Sequence, residues 1–305
     1  MDSDLTPAQA LRRFLSSGRF AAAGAVITDL DGTAVLEREG RIYLPPTVEG
    51  GLEHIRRLGR PVIANTLRFP RSVIGVFGDE WHRSTGTDLP LVSMKGSQIG
   101  RVVRDESGAM CFEEWHAETL TPAEIREVMV GVEGMVDDGV RDLLVFHYPR
   151  DWRQGELIWT PDAGRVDAVA AKYRSATRAY SSDVRAFGDT LLSQEMCMIF
   201  LLIDLPEDRR MAYQHTERTR FVTHVGVDKR HGARAMARCL EIDLLHSVGA
   251  GDGEADTFLT EVGLAAIVGN AQLDFKGRVG TLRLPDPPAW GRVLLELGAS
   301  GGLAR

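Results

Sequence analysis

Two aspartates one residue apart, Asp29 and Asp31, follow the apolar run Ala25-Val26-Ile27 and precede Gly32-Thr33. The run reads as a buried strand, and the glycine marks the point where the chain turns out of the sheet. Carboxylates this close repel each other unless a cation or a proton lies between them. The pair fits cation binding or acid–base work, and it also fits an Asp-Gly turn capping the next element. Further polar residues end or follow other apolar stretches. Thr66 follows Pro61-Val62-Ile63-Ala64-Asn65, and Lys229 follows His224-Val225-Gly226-Val227-Asp228. Asp252 and Asp256 lie in Gly251-Asp252-Gly253-Glu254-Ala255-Asp256 after Ser247-Val248-Gly249-Ala250, and Asn270 comes after Leu264–Val268 and Gly269. Taken singly, Thr66 is an ordinary strand-end turn residue, Lys229 a helix-start lysine, Asp252 part of a turn and Asn270 a turn residue.

These residues need elements to hold them. Thr6-Pro7-Ala8-Gln9 opens a short helix through Leu11 and Leu15. After Pro45-Pro46, Val48, Leu52, Ile55 and Leu58 recur at helical spacing until Gly59. Pro61–Ala64 and Leu89–Ser93 read as further strands, and the strand–helix alternation predicts a parallel sheet with crossover helices. In such sheets ligands gather at the carboxyl ends of the strands, where Asp29, Asp31 and Thr66 fall.

From about Ile99 to Val222 the pattern changes to closely spaced strand-like segments: Asp142–His147, Glu156–Trp159 and Glu195–Leu202. Two helices interrupt them, one opened by Thr121-Pro122-Ala123-Glu124 and one over Val166–Tyr180. The charged pairs Arg150-Asp151 and Asp208-Arg209-Arg210 read as solvated turns. The parallel pattern resumes near residue 223, and Gly280–Leu284 is a last edge strand. The expectation is an α/β protein: a Rossmann-like parallel-sheet core, residues 1–98 plus 223–305, with an inserted α+β cap over 99–222.

The 305 residues allow about two domains, and a composition of 44% hydrophobic and 26% charged residues is that of an ordinary globular protein. A net charge of −7 argues against a general nucleic-acid partner, so any anionic ligand needs local positive charge. No apolar run is long enough for a bilayer, and no secretion signal is evident. Cys111, Cys197 and Cys239 are isolated and read as buried free thiols in a reducing, cytoplasmic setting. Oligomeric state is not legible.

In their order along the chain, Asp29-x-Asp31, Thr66, Lys229 and Asp252 with Asp256 resemble the motifs of the haloacid dehalogenase-like superfamily of phosphohydrolases. The resemblance covers the core, and the insert matches in position and rough topology. It implies Mg²⁺ as cofactor and a small phosphorylated substrate. It further implies Asp29 as the nucleophile that forms an aspartyl-phosphate. Asp31 would protonate the leaving oxygen, then deprotonate the attacking water, and touch the metal through its carbonyl. Thr66 and Lys229 would bind the phosphoryl oxygens, with Lys229 also keeping Asp29 ionised, and Asn270 would support phosphate binding. Asp252 would be a metal ligand, with Asp256 in or beside the metal's surroundings. The second aspartate favours phosphate esters, because superfamily members that cleave carbon–halogen bonds or pump ions lack it.

The stretch between Asp29 and Thr66 is too short for a cap beyond one crossover, whereas that between Thr66 and Lys229 is ample. This placement, with Ser93-Met94-Lys95-Gly96-Ser97 just before the insert, looks like the Cof-type and sucrose- or mannosylglycerate-phosphatase-like branch, whose members act mostly on sugar phosphates. Three residues depart from that branch's pattern: Ala255 in place of Asn, Leu67 within the usual Thr-Gly-Arg, and Arg230 after the lysine. Lys172, Arg174, Arg185 and Glu195 are candidates for substrate contacts on the cap. A phosphomutase using the same aspartyl-phosphate, or a non-catalytic binding protein on the same scaffold, remains an alternative.

Overall fold

The structure, a computed structural model, describes residues 7–17, 19–38, 41–203, 220–270 and 272–301. Thr6, the Asp208-Arg209-Arg210 turn and Ala271 lie outside the described residues. The chain forms two units: Met1–Arg68 with Val73–His116 and Val227–Arg305, and Ala117–Gly226 with the short segment Phe69–Ser72.

In chain order the strands are β1 (Val26–Thr28), the hairpin β2 (Leu36–Arg38) and β3 (Arg41–Tyr43), β4 (Val62–Asn65), β5 (Leu89–Ser93), β6 (Gln98–Arg104) and β7 (Met110–Ala117). Then come β8 (Leu143–Pro149), β9 (Leu157–Trp159), β10 (Arg178–Tyr180), β11 (Met196–Ile203) and β12 (Arg220–Val222). The chain closes with β13 (Val248–Gly251), β14 (Leu264–Val268) and β15 (Gly280–Leu284).

The first unit is built on a sheet ordered β15-β14-β13-β1-β4-β5-β6-β7. The run from β15 to β5 is parallel, as the crossover pattern predicts. Its central strands β1, β4 and β13 are buried throughout, which explains their unbroken apolar sequences. Ile27, Ile63, Val92 and Ile267 pack in one core with Met236, Phe258 and Leu259. The helix Pro46–Arg57 starts on its proline and buries Val48, Leu52 and Ile55 at the predicted spacing. β14 and β15 pair as expected, with β15 at the edge.

Residues 99–116 depart from the expected boundary. β6 pairs antiparallel with β5 from Leu89↔Val102 to Ser93↔Gln98, and β7 continues the same sheet beyond it. The sequence pattern assigns residues from Ile99 on to the insert and singles out no strand within 99–116. The free side of β5 offers unpaired backbone groups five residues upstream of β6, so the hairpin satisfies them there.

The second unit holds a sheet ordered β10-β9-β8-β11-β12, antiparallel except for β9 with β10. The helix Pro122–Asp137 opens on the predicted capping box, with Thr121 and Glu124 bonding each other's backbone. It packs Ile125, Met129 and Val132 against Val145, Trp159 and Ile199. The stretch predicted as one helix over 166–180 divides: the helix stops at Lys172, and Arg178–Tyr180 becomes β10. Thr177 N–H donates to Glu156 O at 2.7 Å and Thr160 N–H to Tyr180 O at 3.0 Å, so the exposed edge of β9 captures this backbone. A further helix, Val184–Leu192, is opened by Asp183, whose side chain accepts from Ala186 N–H. Only Cys197 of the three free cysteines is buried; Cys111 is partly exposed and Cys239 fully so. No helix among the described residues is long and apolar enough to cross a membrane.

Candidate active site

Asp29, Thr66 and Asp252 follow three adjacent strands, β1, β4 and β13. Thr28 is level with Ala64 on one side and Ala250 on the other, so all three ends come to one edge of the sheet. Asp29 N–H still donates to Ala250 O at 2.9 Å, continuing the ladder. The chain then turns sharply, with Leu30 O accepting from Ala34 and Val35 N–H, both at 2.9 Å. Gly32 makes that turn at φ +74, and a Cβ there would lie 2.1 Å from Asp252 Oδ2. Only glycine lets the turn approach the second carboxylate so closely.

Lys229 arrives from a different direction than expected. No strand runs directly into it; it is the first residue of the helix Lys229–Cys239, capped by the Asp228 carboxylate on His231 N–H. Gly232 brings this helix against β5, where a Cβ would meet Val92 Cγ1 at 2.3 Å. The Asn65 amide donates to Lys229 O at 3.0 Å and anchors the helix start to the end of β4. The lysine side chain is 2% exposed, and its Nζ lies 2.7 Å from both Asp29 Oδ1 and Asp256 Oδ1.

Two carboxylates, Asp29 and Asp256, therefore share one buried ammonium, with Asp252 beside them. Asp29, Asp252 and Asp256 can each bring an oxygen within 4.8 Å of the others. Burial pushes the Asp29 carboxyl up to about 7; Lys229 opposes this, and the charge of Asp256 adds to it. Burial and Asp256 likewise raise Asp252. Burial alone would lower Lys229, but Asp29 and Asp256 outweigh it and hold the ammonium above its ordinary range. Lys229 thus pulls the Asp29 carboxyl down while burial, with Asp256, pushes it up further.

Such a cluster suits a further cation, and the donor set is that of a hard one. Asp256 is already committed, its Oδ1 to Lys229 and its Oδ2 to the backbone N–H groups of Asp252 and Gly253, both at 2.9 Å. Asp256 therefore also orients the loop. Asp29 Oδ2 and the Asp252 carboxylate are the candidate ligands, with Thr33 Oγ1 donating to Asp252 Oδ1 at 3.3 Å. Two carboxylates with room for waters and substrate oxygen fit Mg²⁺, which keeps several waters and tolerates few protein ligands.

Thr66 is buried and braced from three sides. Its N–H donates to Val92 O at 2.9 Å, its O accepts from Lys95 N–H at 3.3 Å, and its Oγ1 accepts from Arg68 N–H at 3.1 Å. The hydroxyl proton is left to donate at the sheet edge. Asp31 separates from Asp29. Its side chain is 53% exposed and held by Arg68, Nε on Oδ2 at 2.7 Å and Nη2 on Oδ1 at 2.6 Å. Asn270 sits exposed in the turn after β14. In the second unit Arg150 pairs with Glu195 at 3.1 Å, and the Lys172 ammonium lies 5.2 Å from the Tyr173 ring centroid. Two contributors escaped sequence reasoning: Asn65 and Arg68. Of these, Asn65 beside Thr66 carried a usable signal, being a polar residue inside a buried strand.

Comparison with solved structures follows from this geometry. A phosphatase of the haloalkanoate (HAD) enzyme superfamily from Bacteroides thetaiotaomicron matches with a TM-score of 0.62 at 14% identity, covering 91% of this chain and 96% of its own. The fold is that of the HAD phosphatases. A HAD subclass IIB sugar phosphatase matches with a TM-score of 0.60 at 15% identity, over 92% of this chain and 97% of that one. A haloacid dehalogenase-like hydrolase from B. subtilis gives a TM-score of 0.60 at 18% identity, over 88% and 97%. No protein-family model matches the sequence, and no curated protein is significantly similar to it.

Proposed function

We propose that this chain belongs to the HAD-like superfamily and is a Mg²⁺-dependent phosphatase of a small phosphorylated metabolite, a sugar phosphate by preference. The observation that carries the reading is the buried Lys229 bridging Asp29 and Asp256, with Asp252 on the next strand end. A carboxylate can attack a phosphate dianion only where positive charge is concentrated, and Lys229 brings such charge to Asp29.

In this reading an Asp29 oxygen attacks phosphorus in line with the leaving oxygen. The bond from phosphorus to that oxygen breaks, and Asp31 supplies the proton. Water then attacks the aspartyl-phosphate, Asp31 takes a proton from it, and Asp29 is regenerated as a carboxylate. Lys229 and the Thr66 hydroxyl hold the equatorial oxygens throughout. Bound Mg²⁺, on Asp29 and Asp252, supplies charge neutralisation between nucleophile and phosphate. The sugar-phosphatase neighbour supports the substrate class, and we assign substrate selection to the inserted unit.

The test is phosphate release from a panel of sugar phosphates and other small phosphoesters, with Mg²⁺ and with chelator. Metal-dependent release concentrated on a few sugars is the expected result. Transfer between positions of a sugar, dependent on a bisphosphate and with little free phosphate, would replace the reading by a phosphomutase. Absence of both turnover and Mg²⁺ binding would replace it by a non-catalytic protein.

A further inference from the structure

Arg68 is the one cation among the described residues that grips Asp31 through both carboxylate oxygens, at 2.6 and 2.7 Å. Its backbone is pinned as firmly as its side chain. Arg68 N–H donates to Thr66 Oγ1 at 3.1 Å, and Arg68 O accepts from Met94 N–H at 3.1 Å. Met94 and Lys95 stand at φ 47 and 60, a left-handed conformation that non-glycine residues adopt at a cost. The turn that holds Arg68 is thus kept in place against its own backbone preference. The Arg68 side chain is 21% exposed, whereas that of Asp31 is 53% exposed. Without its partner the Asp31 carboxylate would have no fixed direction, since the turn after β1 constrains its backbone only.

We propose that Arg68 is a positioning residue for proton transfer: it fixes the Asp31 carboxylate in the orientation from which one oxygen serves the leaving group. This rests on the phosphatase reading above. The planar guanidinium fork suits the task because two parallel hydrogen bonds set the plane of the carboxylate as well as its place. During turnover one of the two bonds yields to the leaving oxygen while the other keeps the carboxylate aimed. No atom of the substrate is assigned to Arg68.

Dependence on the leaving group separates this role from phosphate binding. An alkyl phosphate expels a poor leaving group that needs a proton, whereas p-nitrophenyl phosphate expels a good one that does not. Leaving-group release in the first turnover is measured on a sugar phosphate turned over by the wild type and on p-nitrophenyl phosphate for wild type, Arg68→Ala, Arg68→Lys, Asp31→Asn and the double variant. The expected result is a loss in first-turnover rate of roughly 10²-fold or more on the alkyl ester for Arg68→Ala, the scale of one proton transfer. The first-turnover burst of p-nitrophenolate, which precedes the step in which Asp31 takes a proton from water, stays within a few-fold, which also shows that the variant is folded. Arg68→Lys recovers part of the loss, and the double variant is no worse than Asp31→Asn alone, since the two act as one unit. A crystal structure of Arg68→Ala gives a readout independent of turnover, with the Asp31 carboxylate in more than one orientation. Equal losses on both substrates, an effect confined to KM, or additive losses in the double variant would overturn the proposal and leave the phosphatase reading intact. A wild type that releases phosphate from neither substrate would overturn both.

Discussion

Among the described residues each unit buries one titratable base, and they treat it in opposite ways. Lys229 in the first unit lies between two carboxylates and keeps its charge above the ordinary range. His147 in the second unit is 0% exposed among the rings of Phe187 and Tyr180, and burial pulls it down to about 3. Its Nε2 meets the Tyr180 hydroxyl at 3.0 Å, and no carboxylate faces it there. The first unit spends stability to collect charge at one sheet edge; the second keeps charge out and packs. The two buried bases thus sit in opposite surroundings, one charged and one neutral.

Removing Lys229 is the strongest way to break that contrast. Lys229→Met leaves Asp29 and Asp256 buried without their shared cation, at a cost of about 3–5 kcal/mol. Thermal melts in chelator are expected to fall sharply, with partial recovery in Mg²⁺, and turnover is expected to vanish in both. A melt unchanged in chelator would mean that the carboxylates are satisfied some other way.

Gly32→Ala probes the same edge more gently. The new Cβ falls 2.1 Å from Asp252 Oδ2 in a left-handed turn. The loss in turnover should be on the order of 10–100-fold, as for residues that orient metal ligands. A Mg²⁺ titration of activity is expected to shift to higher concentration, and an unshifted titration would separate Gly32 from the metal.

His147 sharpens the comparison from the other side. Its folded-state value of about 3 lies below the ordinary 6.5. The unfolded chain therefore takes up a proton that the folded chain refuses, and stability present above pH 6.5 is lost progressively as pH falls toward 3. His147→Leu removes that titration, so its urea midpoint should vary less with pH over this window than that of the wild type. Equal slopes would place the acid sensitivity elsewhere.

The sequence made much of the first unit legible, because each strand end is a short apolar run stopped by a polar residue. Asp29, Thr66, Asp252 and Asp256 could be placed by that rule alone. Lys229 was found through the residue order and its topology misread: Val225-Gly226-Val227 resembles a strand, but Gly226 turns at φ +82 and Asp228 caps a helix. Arg68 on Asp31 stayed hidden because an ion pair between loops leaves no periodicity. The β6–β7 hairpin was not singled out and residues 99–116 were counted with the insert, because pairing with β5, a tertiary contact, decides where they go. Arg178–Tyr180 passed for helix because the edge of β9, a distant partner, decided its backbone.

The central claim is that Asp29 is the group that attacks phosphorus. The most direct test is phosphate release by Asp29→Asn beside the wild type, on the best substrate of the panel and with Mg²⁺, together with a thermal melt of each. The account predicts a folded variant with no measurable turnover. It also predicts that in chelator the variant melts at or above the wild-type temperature near pH 8, because burial raises Asp29 to about 7 and its ionisation costs stability as pH rises through that value. A folded Asp29→Asn protein that still turns over would contradict it.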